Sequence, residues 1–158
     1  YEKLQKYTVK IMGDDTTEEA IRLKRYIKEH KIKNIEFLGF KSGEELEDII
    51  KGARFTLIPS IWYDNLPNTA LESFQYSKPV IASNIGSLPE LVVDGENGYL
   101  FKPADAEDLI KKIKLLDDDT VVEKMGAASR RRLESRFSPE THYEALMKVF
   151  SEAVKNNK

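Results

Sequence analysis

Short apolar runs separated by segments of helical period constrain this chain more than any other feature. IEFLGF (Ile35–Phe40), FTLIPS (Phe55–Ser60), PVIAS (Pro79–Ser83) and GYLF (Gly98–Phe101) are strand-like in length, and TVKIMGDD (Thr8–Asp15) alternates apolar and polar residues before Gly13. FTLIPS and PVIAS are continuously apolar, which predicts strands covered on both faces. Between them NTALESFQYS has the length and pattern of a helix, and helical stretches are expected near Asp105–Leu116, Val121–Phe137 and Pro139–Val154. Thr16 with Glu19, and Ser42 with Glu45, have the spacing of capping boxes that open helices, while Ser138-Pro139 places proline at a first helical position. Strands alternating with helices at these separations predict βα units: an α/β fold with a doubly wound parallel sheet. No repeat, low-complexity tract or Gly/Ser linker divides residues 1–158, so one domain with a final helix at about 139–155 is expected.

Charge and composition narrow the partners. Lys and Arg number 25 against 27 Asp and Glu, a formal charge of −2, so no overall basic field invites nucleic acid. No apolar run approaches the ~18 residues of a membrane span, and the opening YEKLQKYTVK lacks the apolar stretch of a secretory signal. Zero cysteines exclude a disulfide framework and thiolate metal sites. A cytoplasmic setting is the expectation, with peripheral membrane association open for a longer protein.

In such sheets ligands bind beyond the carboxyl ends of the strands, where loops lead into helix starts. There the chain reads SIWYDNLPNTALESF, Ser60 to Phe74, with Asp64 and Glu72 separated by seven residues. A helix beginning near Pro67 or Asn68, with Asn68 as a candidate cap, has first N–H groups without helical partners, suited to an anion such as phosphate. Glu72 lies one turn on, and a carboxylate accepts two neighbouring hydroxyls at once, as a ribose diol requires. Asp64, on the loop, suits a second polyol. Each part also has an ordinary reading, a charge near a helix dipole or an Asp-Asn turn.

The stretch PSIWYDNLPNTALESFQYSKPVIASNIGSLPELVVDGENGYLF resembles the signature region of the retaining glycosyltransferases of family four, the glycosyl transferases group one. Their GT-B architecture has two Rossmann-like domains facing across a cleft. The likeness continues upstream through VKIMGDD and IEFLGF and downstream to FSPETHYEALMKVF, in the order of the family's C-terminal domain, and is most specific from Pro59 to Gly98. It implies that Glu72 holds the donor's ribose and that Asp64 contacts the transferred sugar and supports developing positive charge. It further implies that the segment Asn65, Leu66, Pro67, Asn68 and Thr69 lines the sugar and pyrophosphate and presents its backbone N–H groups to them, Pro67 alone having none, and that Phe40 and Lys41 meet the base. The implied partner is a nucleoside diphosphate sugar, a substrate rather than a cofactor. No metal is implied, since Asp64-Asn65 is not a carboxylate pair of the Asp-x-Asp type.

Two departures matter. The first acidic member is usually glutamate, and aspartate is a methylene shorter. The family's Arg and Lys that clamp pyrophosphate, and its N-terminal acceptor domain, have no counterpart in this chain, with Tyr1–Gln5 resembling the end of the helix that would carry part of the clamp. A fragment or a stand-alone relic is therefore expected, with a strand edge prone to self-pairing. A non-catalytic, weakly nucleotide-binding interaction domain is the alternative, and a nucleotide-sugar epimerase fits the carboxylate pair less well.

Other features have structural readings. Trp62 and Tyr63 are expected to cover the core edge, although stacking on a sugar or base is open to them. His30 and His142 are without ligand partners at metal spacing. Arg130–Arg132 is expected to be a solvated face, with a phosphate contact as the lesser reading. Ser87 and Glu90 have capping-box spacing, and Gly95 and Gly98 fit a turn into the last strand.

Overall fold

The computed structural model describes residues 6–156, so the resemblance drawn for Tyr1–Gln5 lies outside the described residues. Two compact units divide the chain, one through Ile49 and one from Ile50 onward.

In the first unit β1 (Val9–Met12) and β2 (Ile35–Gly39) pair in parallel, joined by α1 (Glu18–Glu29). Their register sets Lys10 opposite Glu36, opposite charges suited to an exposed ladder. No described residue before Ile50 is fully buried. Thr17, rather than Thr16, caps α1 by accepting from the Ala20 amide at 3.2 Å. Thr16 is engaged by Asp14, whose carboxylate accepts from both its amide and its hydroxyl, so the helix starts one residue late. Helix α2 (Gly43–Gly52) carries the chain into the second unit.

The second unit holds the core. Strands β3 (Thr56–Ile58), β4 (Val80–Ser83) and β5 (Gly98–Phe101) form a parallel sheet in that order. The connections are α3 (Asn68–Gln75) and the single turn α4 (Leu88–Leu91), and α5 (Ala106–Leu115), α6 (Asp119–Arg136) and α7 (Pro139–Asn156) follow. Every residue of β4 is buried, as its apolar run requires. FTLIPS departs from that expectation: only Ile58 of β3 is buried, because β4 pairs on both sides whereas β3 is an end strand of its ladder. One parallel sheet was expected; the described ladders are two, and each is parallel.

The core packs Phe74 and Ala70 of α3 against Val80 and Ala82, with Leu88, Leu91 and Val92 beside them. Close approach at Gly98 is obligatory, since a Cβ there would lie 2.0 Å from the Val80 carbonyl oxygen. Helix starts follow side-chain chemistry: Asp105 accepts from the amides of Glu107 and Asp108, Asp118 from that of Thr120, and Ser138 from that of Thr141.

Candidate functional site

The second unit builds a strand–loop–helix site from β3, the loop after Pro59 and α3. Buried Ala70, Ser73 and Phe74 mark one face of α3 at helical spacing. Ser73 fastens that face, since its hydroxyl donates to the Thr69 carbonyl at 2.6 Å and accepts from Thr56 Oγ1 of β3 at 2.7 Å. The start of the helix is thereby fixed to the strand that precedes the loop.

No side chain caps α3. Its N-cap is Pro67, extended at φ −68° and ψ 110°, and not Asn68, which is the first helical residue. Proline's fixed φ suits entry into a helix and offers no side-chain acceptor. The Ala70 amide bonds to the Pro67 carbonyl at 3.0 Å, which leaves the preceding amides of Asn68 and Thr69 as the donors that a helix start presents. These donors and the positive end of the dipole suit an anion.

The two carboxylates flank this start. Glu72 is half-buried, lies off the packed face of α3, and its carboxylate makes no hydrogen bond or ion pair among the described residues. Asp64 is also half-buried, and its Oδ1 accepts from the Asn65 amide at 3.0 Å. The main chain of Asp64 is gripped from below: the Ser87 amide and hydroxyl both donate to its carbonyl, at 3.2 and 2.9 Å. Gly86 makes this contact possible. At φ +60° it packs so closely that a Cβ would sit 2.9 Å from the Asp64 nitrogen and 3.3 Å from Tyr63 Cα.

Ser87 stands at the N-cap of the short helix α4, as its spacing to Glu90 predicts, but its side chain makes no cap bond and is spent on Asp64 instead. The core-edge expectation for Trp62 and Tyr63 is also corrected, since they are 64% and 84% exposed. Backbone meets backbone between Tyr63–Asp64 and Gly86, so the neighbouring side chains turn outward.

Phe40 and Lys41 follow β2 in the first unit. Phe40 is 78% exposed, and Lys41 pairs with Glu45 one helical turn away at 3.3 Å. Leu66 and Asn65 are exposed on the loop, and Pro67 is buried.

The arginine run is more than a solvated face. Arg130 donates to the Gln75 carbonyl at the end of α3 at 2.7 Å, and Arg132 to the Glu90 carbonyl at 2.6 Å. Carbonyls left open at helix ends attract such cations. His30 bonds to its own helix through the Tyr26 carbonyl and stacks on the Tyr26 ring. Among the described residues no group of three His, Asp or Glu side chains is placed to hold a metal ion, and no helix is long and apolar enough to cross a membrane.

Four likenesses to known proteins complete the site's context. The pattern of the family described as glycosyl transferases group 1 matches residues 1–132. An uncharacterized glycosyltransferase of Methanocaldococcus jannaschii is 30% identical over 146 residues, 92% of this chain and 41% of that protein. In solved structures, a protein of Anabaena in complex with UDP-glucose superposes with a TM-score of 0.81 at 21% identity, covering 96% of this chain and 43% of the other. The C-terminal domain of a glycosyl transferase group 1 family protein from Francisella tularensis gives 0.75 at 23% identity, over 87% of this chain and 73% of the other. The chain thus spans about two fifths of the length of the Methanocaldococcus and Anabaena proteins, and its fold is that of the C-terminal, Rossmann-like domain of the GT-B architecture.

Proposed function

This chain belongs to the glycosyl transferases group 1 family, and from that premise we propose that it is the donor-binding part of a retaining, family-four glycosyltransferase that moves a hexose from a nucleoside diphosphate sugar to an acceptor. The observation that carries the reading is the uncapped start of α3, set between Asp64 and Glu72 and locked to β3 through Ser73.

The diphosphate sits at the amides of Asn68 and Thr69. Glu72, without an internal partner, takes the ribose hydroxyls. Asp64 takes hydroxyls of the sugar and stabilises positive charge as the glycosidic bond breaks. Its carboxylate is already oriented by the Asn65 amide, so it need not be reorganised at the moment of reaction. No protein nucleophile is used: the leaving phosphate accepts the acceptor's proton as the sugar transfers. Phe40 and Lys41 contact the base. The donor is substrate, no cofactor or metal is required, and an acceptor-binding domain belongs to the longer protein. The setting is cytoplasmic, peripheral to a membrane where the acceptor demands it. Self-association through a strand edge belongs to the same reading, and a strict monomer in sedimentation would count against it.

Calorimetric titration with uridine, guanosine and adenosine diphosphates and their glucose conjugates tests the proposal. One base is expected to bind saturably, and Glu72→Ala to weaken it about tenfold or more, the loss of hydrogen bonds to a charged acceptor. Absence of binding by all of them to millimolar concentration would favour the non-catalytic interaction domain.

A further inference from the structure

Arg132 turns toward the body of the second unit. Its Nη2 donates to the Glu90 carbonyl, while its Nε is buried with no hydrogen-bond partner. A buried N–H on a charged group calls for an acceptor. Beside it lies a cavity of about 410 Å³. Arg136, one helical turn further along α6, lines the same cavity, as does Ser87. Leu66, Leu91 and Phe137 supply an apolar wall. Glu90 is the one carboxylate in the lining, so the two guanidinium groups leave the cavity with net positive charge.

We propose that this cavity is an oxyanion subsite, separate from the nucleotide site at α3, that takes the phosphate of a phosphorylated small molecule. A guanidinium presents N–H groups in a planar fork that matches phosphate oxygens. Two of them at adjacent turns of α6 offer more N–H donors than the two oxygens of a carboxylate use, and suit the three acceptor oxygens of a phosphate monoester better. The apolar wall accepts the molecule's carbon frame, with the Phe137 ring suited to the face of a sugar.

The subsite is wired to the Asp64 loop. Ser87 lines the cavity and grips the Asp64 carbonyl, and Leu66 lines it from two residues beyond Asp64. An occupant therefore braces the loop that carries Asp64, as a phosphorylated acceptor or an activating metabolite would.

The test is calorimetric titration of the chain, at low ionic strength, with glucose 6-phosphate and with inorganic phosphate. Both are expected to bind saturably, glucose 6-phosphate the more tightly. Arg136→Gln, at an exposed position and checked for native circular dichroism, is expected to weaken glucose 6-phosphate about tenfold, whereas Glu72→Ala leaves it unchanged. Saturating uridine diphosphate is expected not to compete. Displacement by uridine diphosphate, or loss of affinity in Glu72→Ala, would place the phosphate at α3 and overturn the proposal. No saturable binding, or an Arg136→Gln variant that binds as wild type, would overturn it equally. Uridine diphosphate binding is read separately in the same series, so failure of the donor reading leaves this outcome legible.

Discussion

The hydroxyl of Ser87 and the main-chain carbonyl of Asp64, 23 residues apart, are joined by a 2.9 Å hydrogen bond. It is the visible half of a close approach whose other half is Gly86, where a Cβ would press on the Asp64 nitrogen at 2.9 Å and its oxygen at 3.1 Å. Because those neighbours are backbone, Gly86→Ala has to move the Asp64 loop, and its φ of +60° adds strain. The expected cost is about 1–3 kcal/mol of stability, with donor affinity falling about tenfold or more. Ser87→Ala removes one hydrogen bond and is expected to cost about 1 kcal/mol. Denaturant unfolding and donor titration read the two quantities. Wild-type donor affinity in Gly86→Ala would mean that the loop's position does not govern binding.

Arg54 makes a second prediction, about stability alone. Its Nε donates to the Leu116 carbonyl at 2.8 Å and its Nη2 to the Asp117 carbonyl at 2.9 Å, closing the end of α5, while Nη1 pairs with Asp119. Arg54→Met, which keeps the aliphatic stem, is expected to lose about 2–3 kcal/mol, because carbonyls lose their charged donor. Asp119→Asn is expected to change stability by less than about 1 kcal/mol, since an ion pair with a largely exposed member contributes little. Equal losses in the two variants would show that the ion pair, and not the carbonyl bonds, holds the junction.

How much of this was legible in the sequence depends on whether each interaction is local. PVIAS declared a buried parallel strand because burial on both faces favours an unbroken apolar run, here Val80 to Ala82, with the small Ser83 closing it. GYLF and the Ser138-Pro139 helix start were equally plain. The Asp64–Glu72 pair was visible because a strand end, a loop and a helix start follow one another along the chain. The helix start at Ser87 was legible because its spacing to Glu90 is local, whereas its side-chain partner, Asp64, was not, and Gly86 gives no sign in sequence of the backbone it touches. Trp62 and Tyr63 were misread for the same reason: their direction is set by that distant contact. Arg132 drew attention only as charge and Arg136 drew none, since a cavity formed with Leu66 and Phe137 has no sequence pattern. The division of the strands into two ladders was hidden too, since alternation predicts parallel pairing without saying which strands pair.

Acid should loosen the helix starts of the second unit. The bond from the Asp108 amide holds the Asp105 carboxyl below its usual range, aided by Lys102, and the Thr120 hydroxyl and amide do the same for Asp118. A carboxyl depressed in the folded state adds stability that is present above its unfolded value, 3.8, and is lost as pH falls through the lower folded value. Melting temperature is therefore expected to fall with acidification below about pH 4. In Asp105→Asn with Asp118→Asn, which keeps neutral capping side chains, the fall is expected to be shallower. An identical slope in the double variant would assign the acid sensitivity to other groups.

Trp62 allows the donor reading to be followed optically, and it does so because the core-edge expectation failed. It is the chain's single tryptophan, it is 64% exposed, and it precedes Asp64 by two residues. Indole fluorescence from this chain therefore reports on the loop alone. In the free chain a neutral quencher such as acrylamide should reach it readily. Binding of a nucleoside diphosphate sugar, with the sugar at Asp64, should alter both emission and quenching in proportion to calorimetric saturation, while the matching nucleoside diphosphate, which lacks the sugar, should change them less. The distinction matters mechanistically, because the diphosphate is held at the start of α3 and only the sugar extends toward the loop. Equal responses to the two ligands would put the transferred sugar away from Asp64, and would remove that residue from the reacting centre while leaving Glu72 and the helix start as a nucleotide site.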